Sequence, residues 1–343
     1  MLLLLLFFHE QLLFRKSRFV ENTEIWSEIL ATKNTELQKI IRQLENGAAQ
    51  PWMIDSAPVL WWHSKENFKA TDPLITFKNS TLWYREVHPF FFFMTTTLFS
   101  LGPIGETYRA EQSVNGFSPD AQFSRLFESA GIKNGHAGFE LHYDLYEFSA
   151  PPLLWRLSLS PLFREIQNNS PNEILVPIEY WYFMAHNPIP IYFGTHNGDW
   201  ESFLILFKVS LKEKVLAVQV EAVYTSAHGG GRWRCEEELE LHNGRLQLYS
   251  ALNTHATYTR PGFHWRLYPD VTEKGLPWET WRNMRALTKE SYYGFAGSWG
   301  RTSFIHWMNG PISPGPNFKF LPASEEKESR NQWKRFQESC GKK

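Results

Sequence analysis

Cysteine is nearly missing from this chain: Cys235 and Cys340 are the only two among 343 residues. Two thiols make no disulfide framework and cannot by themselves supply a cysteine-based zinc site. Nothing in cysteine usage demands an oxidising compartment, so the chain reads as non-secreted and cytoplasmic. An excess of one charge sign is lacking as well. The formal net charge is −1 and no Lys/Arg block is long enough to track phosphates, which argues against a nucleic-acid partner. Long hydrophobic runs are also absent. Met1 to Phe8 is apolar but short, and Glu10 interrupts it. It lacks the basic start and cleavage site of a signal peptide and the length of a membrane span. Weak membrane contact beside Arg15-Lys16-Ser17-Arg18 is the membrane role left to it. Pro89 to Leu101 is likewise too short to span and fits a buried strand pair. There is no G-x-S-x-G elbow, no phosphate-binding G-x-x-x-x-G-K, no dinucleotide fingerprint and no H-E-x-x-H. The one enzymatic reading with residues to name is a hydrolase acting through a metal-bound water.

Aromatic residues are abundant, at 16% of the chain with 15 Trp. They favour strands and large packed faces. From Glu21 to Asn46, apolar residues recur at three- and four-residue steps, which predicts helices; Asn34 or Thr35 caps the second and Gly47 stops it. After Gln50-Pro51 the texture changes to short aromatic and β-branched runs. Val59–Trp62, Leu82–Arg85, Phe139–Tyr146, Tyr180–Phe183, Phe203–Val209, Val215–Tyr224 and Leu246–Leu252 are the strand candidates. Pro119 to Ala130 and Trp278 to Leu287 read as short helices, and Pro151 to Asn172 as a surface excursion. The expectation is a mainly β protein: β-sandwich-like antiparallel sheets with an N-terminal helical arm and a few short helices. Its parts are residues 1–50 (the arm), 51–320 (the β domain) and 321–343 (a charged, solvated tail).

Chemistry concentrates at Gly194-Thr195-His196-Asn197-Gly198-Asp199-Trp200-Glu201. If a strand starts at Asp199, side-chain alternation turns Asp199 and Glu201 to one face, just after the turn that carries His196. Two later segments repeat the design of strand then histidine-bearing turn: His228 before three glycines, and His255 within Asn253-Thr254-His255-Ala256. A sandwich collects its loops at its ends, so such turns can meet. His196, Asp199, Glu201, His228 and His255 are therefore candidate ligands of a divalent metal. Oxygen-rich ligation suits Mg²⁺, Ca²⁺ or Mn²⁺, and two or three imidazoles shift the choice to Zn²⁺. The plainer reading has Asp199 capping its turn, Glu201 paired with Arg232 or Arg260, and the histidines as hydrogen-bonding turn residues.

The order of motifs resembles the vacuolar protein sorting-associated protein 62 family. Ala57-Pro58-Val59-Leu60-Trp61-Trp62-His63-Ser64-Lys65-Glu66 opens the match. Tyr180-Trp181-Tyr182-Phe183, Gly198-Asp199-Trp200-Glu201, His228-Gly229-Gly230 and Ser250 to Ala256 follow. Pro269-Asp270-Val271-Thr272 to Gly275, Trp278-Glu279-Thr280-Trp281, Gly294 to Gly300 and Gly310 to Pro316 complete the series, across roughly Ala57 to Phe320. Ser202 and Asn253 depart from the family pattern. The resemblance implies a eukaryotic, vacuole- or endomembrane-associated protein that targets other proteins to the vacuole through an unnamed trafficking partner or cargo. The Gly-Asp-Trp-Glu block alone is also similar to a heptad of secreted necrosis-inducing proteins that hold a divalent cation. That likeness maps onto His196, Asp199 and Glu201.

Overall fold

Alternation along two long strands decides the architecture. The computed structural model describes residues 22–78, 81–90, 93–103, 136–140, 151–158, 160, 162–188, 196–228, 230–265, 269–293, 298–299 and 314, with 331, 333–334, 336–337 and 340 near the C-terminus. The apolar start, the Pro119 to Ala130 segment and the stretch from Leu141 to Tyr146 lie outside the described residues. In chain order the strands are β1 (Val59–Trp62), β2 (Ala70–Thr71), β3 (Thr81–Phe90), β4 (Phe93–Pro103), β5 (His136–Glu140), β6 (Leu153–Leu157), β7 (Glu173–Asn187), β8 (His196–Lys212) and β9 (Val215–Ala227). They continue with β10 (Gly230–Cys235), β11 (Leu241–His242), β12 (Arg245–Ser250), β13 (Thr257–Tyr258), β14 (Gly262–Trp265), β15 (Pro269–Thr272), β16 (Leu276–Glu279), β17 (Met284–Ala286) and β18 (Ser298–Trp299).

The largest sheet runs β10-β9-β8-β7-β6-β17, with β2 also on β7. A smaller one runs β11-β12-β1-β16, with β13 on β12. In β7, Ile174, Val176, Ile178, Tyr180, Tyr182 and Met184 point to one face and pack with Leu60 and Trp62 of β1 and Leu246 and Leu248 of β12. Leu175, Trp181, Phe183 and Ala185 point to the other face, where Trp299, Tyr292, Trp333 and Phe336 cover them. Burial on both sides explains the near-continuous apolar run of this strand. The mainly β, sandwich-like expectation holds, although the sheets are mixed: β1 pairs with β12, β17 with β6 and β18 with β5 in parallel.

The N-terminal helices Asn22–Leu30 and Thr35–Glu45 form where the periodicity places them. Asn34 Oδ1 accepts from the Glu36 amide at 3.0 Å, satisfying one of the unpaired N–H groups of the second helix. Trp26, Leu37 and Ile41 enter the same core as the two sheets. The Trp26 indole donates to the Ser158 carbonyl, and the Lys33 ammonium to the carbonyls of Asn168 and Ser170.

Three expectations are corrected. Leu153–Leu157 is a wholly buried strand and not a surface excursion. Leu153-Leu154-Trp155 is apolar toward both faces, and Arg156 is accommodated by a buried pair with Glu179 at 2.6 Å. Trp278 to Leu287 is no helix but the end of β16, a 3-10 turn (Thr280–Asn283) and β17. Pairing of Leu60 with Trp278 overrides the helix-like spacing of its aromatics. The C-terminal segment is not simply solvated: Trp333 and Phe336 are buried, and Cys340 is bonded to Cys235 of β10. Two aromatics on a charged segment are enough to dock it.

Candidate functional site

Asp199 and Glu201 lie on β8, opposite Met184 and Tyr182 of β7. The same face continues into Phe203 and Ile205 of the inter-sheet core, so the two acids stand at the polar end of an apolar layer. Gly198, within β8, has a left-handed backbone at φ +70°, and an added Cβ would sit 2.3 Å from the Trp299 carbonyl oxygen. Only glycine fits that approach.

His255 arrives from the turn after β12. Its backbone is left-handed (φ 57°), as is that of Asn253 (φ 66°). This tight conformation turns the imidazole inward, where it is fully buried. His255 Nδ1 lies 2.8 Å from Asp199 Oδ2, and Nε2 lies 3.6 Å from Glu66 Oε1. Asn187 Nδ2 donates to the same Asp199 oxygen at 2.9 Å. Glu66 accepts from the amides of Phe68 at 2.8 Å and Asn253 at 2.7 Å, so it clamps the turn that carries His255. The carbonyl of His255 accepts from the Tyr182 hydroxyl at 3.0 Å and from Ser250 Oγ at 3.2 Å. Burial alone would push the imidazole down in pKa. The carboxylates of Asp199 and Glu66 outweigh it and raise it to about 9. Burial likewise opposes ionisation of Glu66, but His255 and the two amides hold its carboxyl below the usual range.

A second pair adjoins the first. His228, at φ 50° in the turn between β9 and β10, has Nε2 2.7 Å from Asp270 Oδ2. Tyr258 OH donates to the same oxygen, and Thr254 Oγ1 donates to Oδ1 at 2.6 Å. These donors hold the Asp270 carboxyl below its ordinary value against the opposing effect of burial. Glu201 has the reverse balance. Burial pushes its carboxyl well above the usual range, and the neighbouring charges of Asp199 and Asp270 add to the shift.

Of the five candidate ligands, Asp199 and His255 are in direct contact, and Glu201 lies within electrostatic reach of Asp199. His228 belongs to the adjoining pair through Asp270. His196 instead bonds within its own strand: β8 begins at this residue, ahead of the expected start at Asp199, and Nδ1 lies 2.8 Å from the Gly198 carbonyl oxygen. Among the described residues, the one group of three His, Cys, Asp or Glu donor atoms mutually within 4.8 Å is Cys235, Glu238 and Cys340, whose cysteines are already joined. No ion pair links Glu201 to Arg232 or Arg260 among the described residues. Glu66 and Asp270 were not among the candidate ligands, though both stand in the motifs quoted above. Their pairing with His255 and His228 is the signal that sequence order alone hides.

A cavity of about 200 Å³ lies beside this cluster. Tyr258 lines it and bonds to Asp270, but none of the five candidate ligands faces it. Residues 187–282 match the family model of vacuolar protein sorting-associated protein 62, which supports assignment to that family. No curated protein and no solved structure matches the chain.

Proposed function

We propose that this chain acts in targeting proteins to the vacuole, as a protein of the vacuolar protein sorting-associated 62 type whose histidine–carboxylate cluster takes up a divalent cation. The observation that carries the reading is the coincidence of family match and site. One matched stretch, 187–282, supplies Asp199, Glu201, His228, His255 and Asp270. Three carboxyls drawn together at the edge of an apolar layer repel, and one of them must hold a proton or share a cation. The donor set of carboxylates, joined by the His255 imidazole once a cation displaces its proton, suits a hard or borderline ion. In the arrangement described, the donor atoms stand wider apart than the bonds of one ion allow, so Asp199 and Glu201 would turn toward it on binding. The exposed aromatic and basic surface beside the cluster supports a binding role over catalysis.

Two measurements test the two halves separately. Deleting the gene in a vacuole-bearing cell is expected to misroute vacuolar cargo; normal delivery would overturn the trafficking role. Elemental analysis of the purified chain beside Asp199→Ala is expected to show metal lost on substitution. Equal metal in both, or none in either, would return the cluster to a structural role.

A further inference from the structure

The cavity beside the cluster has a chemistry of its own. On β10, Arg232 and Arg234 alternate with Trp233, so the indole enters the core and both guanidinium groups face away from it. Arg232 pairs in register with Thr225 of β9, and Arg260 approaches from the turn before β14; these three residues and Arg234 line the cavity. Arg234 is bound to Glu238 at 2.6 Å. Arg232 and Arg260 are exposed and have no ion-pair partner among the described residues. Among the described residues, no carboxylate lines the cavity. One wall is rigid, because Tyr258 and His264 stack with ring centroids 3.8 Å apart and planes 10° from parallel. The rim carries Phe263 and Trp265, which are 62% and 78% exposed and stand two residues apart on one face of the β14–β15 hairpin. Val271 of β15, opposite Phe263, adds further exposed apolar surface.

We propose that this cavity docks the phosphate-bearing headgroup of an anionic phospholipid at a bilayer surface, with Phe263 and Trp265 entering the interfacial layer. The Arg232 and Arg260 guanidinium groups, with no carboxylate paired to them among the described residues, call for an anion, and their fork geometry suits phosphate. The rim decides the source of that anion. Two large aromatics held in water beside a cationic pocket gain most where one end of the site is apolar and the other wet. A soluble phosphate compound would leave them unused. The net charge of −1 and the absence of a basic track oppose an extended nucleic-acid path. Docking of this kind is independent of the cargo role and of the cation.

The test is co-sedimentation of the full chain with phosphatidylcholine vesicles prepared with and without phosphatidylserine. The expected result is pelleting with the anionic vesicles only, weakening as salt is added. R232Q/R260Q should lower vesicle affinity roughly 30-fold, from two lost basic contacts at a charged surface. R232K/R260K should recover most of it. F263S/W265S should also release the protein from vesicles. All four side chains reach water, so thermal unfolding of each variant should match the parent and separate lost docking from lost folding. Three results would overturn the proposal: no pelleting of the parent chain, pelleting of both glutamine and serine variants at the parental level, or release by inorganic phosphate or an oligonucleotide with no effect of F263S/W265S.

Discussion

His255 and Asp199, 56 residues apart in the chain, share a 2.8 Å contact inside the protein, with Glu66 on the other side of the ring. An imidazole between two carboxylates holds its proton to about pH 9, although burial opposes the charge. The folded value lies above the unfolded value of about 6.5, so the stabilisation is complete below that pH and is lost as pH rises through about 9. Measured with chelator present, the unfolding free energy should fall by on the order of 2–3 kcal/mol across this window. His255→Gln should flatten the profile, and Asp199→Asn should move the His255 proton titration, followed by NMR, to lower pH. A parental profile unchanged between pH 6.5 and 9 would dismiss the charged-imidazole assignment.

Gly198 and Gly244 offer a controlled pair. Both have positive φ, +70° and +74°, but an added Cβ at Gly244 meets nothing within 4 Å while one at Gly198 meets the Trp299 carbonyl. Gly244→Ala should cost about 1 kcal/mol from backbone strain alone. Gly198→Ala should cost distinctly more and perturb the Trp299 environment, read by denaturant unfolding and by tryptophan fluorescence. Equal costs would mean that the strand carrying Trp299 yields freely.

Arg156 and Glu179 form a buried ion pair, 3% and 1% exposed, to which Ser158 Oγ and the Trp181 indole also donate. Glu179→Gln removes the charge that balances a buried guanidinium and should cost about 3–5 kcal/mol. A double replacement, R156M/E179L, should cost less, because neither charge then remains buried without its partner. Denaturation midpoints of the two variants check the order.

Cys235 and Cys340 close a loop of 105 residues and tie the segment carrying Trp333 and Phe336 to the large sheet. Chain entropy sets the stabilisation from such a loop at about 4–5 kcal/mol. Cys235→Ser should lower thermal stability and make the C-terminal segment the earliest site of proteolysis. Peptide mass mapping of protein isolated under thiol trapping should recover the linked pair. Free thiols at both positions would mean that the bridge does not form.

Much of this molecule was legible in the chain because the relevant signals are local. The near-continuous aromatic and aliphatic runs Tyr180–Phe183 and Phe203–Val209 specify strands, the Asn34 side chain specifies a helix start, and side-chain alternation places Asp199 and Glu201 on one face. The left-handed backbone at His228 and His255 accompanies turns that composition already marked. What the order of residues left open was partnership. Which carboxylate meets which histidine depends on strand register and loop closure over long separations: Asp270 reaches His228 across 42 residues, and Glu66 reaches the Asn253 amide across 187. The same holds for β6, whose Leu153-Leu154-Trp155 is buried on both faces once β7 lies beside it, and for the C-terminal aromatics, which find a surface only after the sheet exists. Periodicity is written in neighbouring residues and survives in any fold that keeps the strand. Contact between distant side chains belongs to the packed arrangement, where burial and unlike charge select one pairing from many.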